Sequence, residues 1–204
     1  RQFPADARVL EARRRLELLR SPTPPDAESA PASAAAEPAP PAGGDTLSRE
    51  AMQAYNRGAR HQAAGEWAAA AEAYLEALAT APRFPLTWFN LGSVHQAQLD
   101  LEAAIEAYDR ALELDPTLTA ARYNLALCLY EKEAYPAARA AAEALVAANP
   151  QSAEAHYLLG LILLKPPADI PAAARHYGTF LRLAPLDPNA QLVRRWLRDN
   201  GYDW

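Results

Sequence analysis

Several side chains in this 204-residue chain are of types that could do chemistry. Histidines stand at His61, His95, His156 and His176, and the one cysteine is Cys128. Imidazoles and thiolates bind metals and act as bases or nucleophiles, but only beside partners at suitable spacing. His61 and His95 are 34 residues apart, a separation that follows the chain's own period and is not a ligand spacing. Packing, not metal binding, is the expected role of these rings. Cys128 falls among Leu127, Leu129 and Tyr130, where a thiol behaves as a small inert hydrophobe. Glu102, Glu106, Asp109 and Glu113 lie on one helix and read as a solvated face, with Glu106 pairing with Arg110 at i,i+4. The eight glycines are scattered, and no Gly-rich phosphate loop occurs. The sequence therefore implies no enzyme, no metal site and no cofactor. The chemistry that remains is hydrogen bonding and apolar contact. Tyr55-Asn56, Phe89-Asn90, Tyr123-Asn124 and Tyr157-Leu158 set an aromatic ladder beside an Asn ladder. An Asn amide both donates and accepts, so it can grip a peptide backbone of any sequence. Aromatic and leucine side chains supply apolar anchors.

The elements that position these ladders recur. Gly58, Gly92, Ala126 and Gly160 follow one another at 34 residues, and Pro82, Pro116, Pro150 and Pro185 close successive units. A fixed period of this size marks a repeat array. The pattern inside each unit is helix, turn, helix. Ser48 suits the first N-cap, Asp100 and Asp169 suit later ones, and Pro136 fits a first helical turn. Gly65 sits where a helix end needs positive φ. Asp187-Pro188 starts a final helix to about residue 200. Its stripe of Leu192, Val193, Trp196 and Leu197 would cover the last unit, which has no following neighbour.

These units resemble the tetratricopeptide repeat. The second carries the pattern in full: Trp88, Leu91, Gly92, His95, Ala104, Tyr108, Ala111 and Pro116. The first has Gly58, Ala70, Tyr74, Ala77 and Pro82, with Ala54 and Arg57 in the usual Trp and Leu places. The third has Leu125, Ala126, Leu129, Ala138 and Pro150, with Arg122 in the Trp place. The fourth has Leu159, Gly160, Leu163, Ala173, Tyr177, Phe180 and Pro185, with one extra residue near Lys165. The resemblance implies an all-α, right-handed α-solenoid. It has four helix-turn-helix units (51–84, 85–118, 119–152, 153–187) and a capping helix (188–200) within a domain over 46–204. It further implies that first helices line a concave groove holding a protein or peptide segment. The lining residues would be Tyr55, Asn56, Phe89, Asn90, Ser93, Gln96, Tyr123, Asn124, Leu127, Tyr130, Tyr157 and Leu161. The Lys and Arg places of the carboxylate-gripping subgroup hold Tyr and Ser or Leu here, so that mode is rejected.

Two segments precede the array. Residues 4–20 place Val9, Ala12, Leu16 and Leu19 on one stripe among arginines, the pattern of a short basic amphipathic helix. Residues 21–45 contain seven prolines and eight alanines and read as a flexible tether. Net charge is −5 overall, but +3 over 1–20 and −8 over the rest. With no general basic excess, nucleic acid is not the expected partner. No apolar run approaches the length of a membrane span. The chain begins at Arg1 with no Met, which leaves room for an upstream anchor. Together with the tether, that favours a bacterial envelope protein over a cytoplasmic one. Arg in place of Lys, with abundant Ala and Pro, points to a GC-rich bacterial source. The function expected is a non-catalytic adaptor or assembly scaffold. The alternative is a structural subunit docked through the basic helix and the tail Tyr202-Asp203-Trp204, or self-association through 4–20.

Overall fold

The computed structural model describes residues 48–203. The expected helix over 4–20, the tether over 21–45 and Trp204 lie outside the described residues. Those described form nine helices and no strand. They fall into two compact units, one ending at Pro116 and one beginning at Thr117.

The first unit holds α1 (Arg49–Ala63), α2 (Trp67–Thr80), α3 (Pro85–Ala97) and α4 (Leu101–Leu114). Ser48 accepts from the amide of Ala51 at 3.1 Å, and Asp100 from that of Ala103 at 3.2 Å. Each satisfies an amide that the first helical turn leaves unpaired. Helices adjacent in sequence pack on one another. Ala70, Tyr74, Leu78, Leu91 and Val94 form the core between them, flanked by Trp67 and Trp88. Arg57, standing in a place expected to hold Leu, reaches across to pair with Glu76 on α2.

The second unit holds α5 (Thr119–Glu131), α6 (Tyr135–Ala148), α7 (Ala153–Leu163), α8 (Ile170–Leu183) and α9 (Ala190–Asp199). Ser152 and Asp169 cap α7 and α8, and Pro136 opens α6. Ala126, Ala138, Leu158, Leu159, Ile162 and Ala173 centre the core. On α9, Val193 and Leu197 are buried, and Trp196 meets Tyr177 edge-on at 5.2 Å. This helix starts later than Asp187-Pro188 suggests. Asp187 instead accepts from the amide and side chain of Asn189, and that local turn delays the helix to Ala190.

Two further features recur along the chain. The turn inside each of the first three helix pairs uses one left-handed residue, Gly65 (φ 75°), Leu99 (φ 64°) and Glu133 (φ 61°). Only the first has no Cβ to strain. The other is a close approach between paired helices. A Cβ added at Gly92 would lie 2.7 Å from the Tyr108 ring, and Gly58 and Gly160 face Tyr74 and Tyr177 in the same way. In the third repeat both places hold alanine, Ala126 and Ala142, packed in one cluster.

Among the described residues no helix is long and apolar enough to cross a membrane. The four acids of α4 are exposed. Arg110 pairs there with Glu113 at 2.6 Å, where the sequence pattern pairs it with Glu106; both partners lie within a turn on one surface, and rotamer choice decides between them.

Candidate interaction surface

In the first unit the ladder residues stand on α1 and α3, the first helices of their pairs. The Tyr55 ring leans on Tyr74 at 5.7 Å and meets Phe84 edge-on at 5.7 Å. Its hydroxyl accepts from the Asn90 amide at 3.0 Å, joining the ladders across the two helices. Burial raises the Tyr55 phenol above its ordinary value, with the Asn90 hydrogen bond opposing. The Tyr74 phenol is raised further, by burial and by Tyr55. Both stay neutral at physiological pH, so this wall carries no phenolate charge. Phe89 leans on Tyr108 at 5.9 Å. Ser93 donates to the carbonyl of Phe89 at 3.1 Å and accepts from the Tyr108 hydroxyl at 3.2 Å. Asn56 is exposed, while Phe89, Asn90 and Ser93 are half-buried.

Gln96 is turned inward. It is 5% exposed, and its side-chain oxygen accepts from Tyr108 at 2.8 Å. Gln62 does the same for Tyr74 at 2.7 Å. At this place in the repeat, the amide satisfies a buried tyrosine hydroxyl that would otherwise be costly.

In the second unit Tyr123, Asn124, Leu127 and Tyr130 of α5 and Leu161 of α7 are half-buried. Tyr123, Leu127 and Tyr130 rest on the unit's core with Leu164. The Lys165 ammonium stands 5.1 Å over the Tyr130 ring, a cation–π contact beside an otherwise apolar surface. Tyr157 is 9% exposed and packs on Phe180 at 5.1 Å and Tyr177 at 6.0 Å. Like Gln96, it is chiefly a core residue. Three rings of the aromatic ladder (Tyr55, Phe89, Tyr157) thus brace the second-helix tyrosine of their own repeat.

The first-helix face is polar with aromatics in the first unit and more apolar in the second, where Lys165 over Tyr130 brings a charge beside it. Hydrogen-bonding amides and half-exposed rings suit a peptide segment and offer no reacting group. Sequence reasoning missed two contacts: Lys165 over Tyr130, and a meeting of His156 with His176. The extra residue near Lys165 breaks the period there, so no repeated pattern marked either.

Known proteins share the repeat and the fold. Residues 85–118 and 123–165 match family models described as tetratricopeptide repeat. Among solved structures, the chain is similar to MamA residues 41-end from Desulfovibrio magneticus RS-1. Identity is 22% and the TM-score 0.68, over 76% of this chain and 89% of that one. YrrB, described as a tetratricopeptide repeat protein with an unusual peptide-binding site, is 20% identical. Its TM-score is 0.65, over 71% of this chain and 74% of that one. The first such domain of Spaghetti, bound to an HSP90 peptide, is 18% identical, with a TM-score of 0.54 over 56% of this chain and 90% of that one. No curated protein sequence matches. The likenesses show the all-α solenoid fold.

Proposed function

The chain is a tetratricopeptide repeat protein, and on that premise we propose that it is a non-catalytic module binding a partner segment along its first-helix walls, as adaptor or assembly scaffold. The observation that carries this reading is the set of uncharged, half-exposed side chains on α1 and α3 of the first unit and, separately, on α5 and α7 of the second. These residues are neither fully core nor solvated charge. In the first unit Asn56 and Asn90 would hold an extended backbone, with Phe89 taking an apolar side chain; in the second Asn124 would do the former and Leu127, Tyr130 and Leu161 the latter. The peptide sites named for YrrB and Spaghetti lend support by analogy of fold.

The test is photo-crosslinking in the native source from positions 56, 124 and 161, with positions 106 and 140 on exposed second-helix faces as controls. Partner adducts from the first set and not the second are expected. Adducts from the second-helix positions alone would refute the reading.

A further inference from the structure

Two imidazoles that the wall does not use meet inside the second unit. His156, on α7, is 7% exposed, and His176, on α8, is half-buried. Their Nδ1 atoms lie 2.9 Å apart, and Nε2 of His156 is 3.1 Å from the carbonyl oxygen of Pro150. A carbonyl oxygen only accepts, so His156 Nε2 carries hydrogen. In the neutral ring its Nδ1 is then a lone pair, and His176 Nδ1–H donates into it. One added proton leaves a donor and an acceptor still facing each other. Two added protons leave two N–H groups and two positive charges head to head.

We propose that His156 and His176 form an acid-sensitive clasp, holding the turn at Pro150, α7 and α8 together while at least one ring is neutral and releasing when both are charged. The surroundings favour this role over a metal site. From α6, Arg139 and Glu143 face the pair, bonded to each other at 2.8 Å, and Arg139 also reaches Asp169 at 4.0 Å. Arg175 flanks it on α8. Burial first, then His156, Arg175 and Arg139, hold the His176 imidazole below its ordinary value, with Glu143 opposing. A base lowered on folding contributes its stability above the unfolded value and loses it as pH falls toward the folded one. The window therefore opens below about pH 6.5.

The experiment is amide hydrogen exchange on the full chain at about pH 7.5 and about pH 5, corrected for intrinsic rates. Protection of α7 and α8 is expected to fall roughly tenfold relative to α1–α3 in acid. His176→Asn puts an amide near the place of Nδ1 and can turn its oxygen to accept when His156 is charged, so it abolishes the response. His61→Asn, outside the clasp, leaves it intact. Equal relative protection at both pH values in the wild type, or a full response in His176→Asn, overturns the proposal. Should that variant not fold, ring nitrogen shifts of the wild type decide. Stepwise titration, the second step coinciding with loss of α7–α8 protection, supports the clasp. Independent titration of the two rings overturns it.

Discussion

Replacing Gly92 by alanine sets a methyl carbon 2.7 Å from Cε1 and 2.8 Å from Cδ1 of Tyr108. The ring cannot step aside easily. It is fully buried, and its hydroxyl is held by Gln96 and Ser93. Overpacking of this kind costs about 1–3 kcal/mol, and the contact distance places this site at the upper end. Removing a helical glycine returns about 1 kcal/mol. Gly92→Ala should therefore destabilise by roughly 1–2 kcal/mol. Tyr108→Ala alone leaves a cavity and should cost about 3–5 kcal/mol. In that second background the methyl group meets no ring, so Gly92→Ala should stabilise by about 1 kcal/mol. The sign reversal implies a coupling of roughly 2–3 kcal/mol. The third repeat already contains the double change in nature, Ala126 with Ala142. Urea unfolding of the four proteins, followed by circular dichroism, measures the cycle. A stabilising Gly92→Ala in the wild-type background, or additivity of the two changes, would refute the packing argument.

Other predictions can be checked with the same or simpler assays. Leu99 is exposed with φ 64°, a conformation glycine adopts freely, so Leu99→Gly should stabilise by about 0.5–1 kcal/mol in urea unfolding. Asp169→Ala removes the acceptor of the Ala172 amide and should cost about 1 kcal/mol, with faster exchange confined to the start of α8. Combined Asn56→Ala and Asn124→Ala should reduce partner crosslinking from position 161 several-fold, while thermal midpoints stay within a few degrees. Unchanged crosslinking there would move the binding surface off the Asn ladder.

The period of 34 and the small-residue places made the helix pairs legible from sequence, because each repeat must bury the same stripe against its neighbour. Caps such as Ser48, Asp100 and Asp169 were equally legible, since capping is a local bond between a side chain and an amide three residues on. The site was only partly so. Asn90 and Phe89 share a sequence pattern with Tyr157, yet Tyr157 is almost buried and Gln96 faces inward.

What the sequence by itself determined is the all-helical array and which positions recur on the first helices, both consequences of local propensity and period. Only tertiary structure decided how far each wall side chain is exposed, that Asn90 bonds Tyr55, and that His156 meets His176. Those outcomes depend on how far one helix stands from the next. That distance is set by whole side chains meeting between residues distant in sequence, here a tyrosine ring against a glycine, and no single window of sequence contains both.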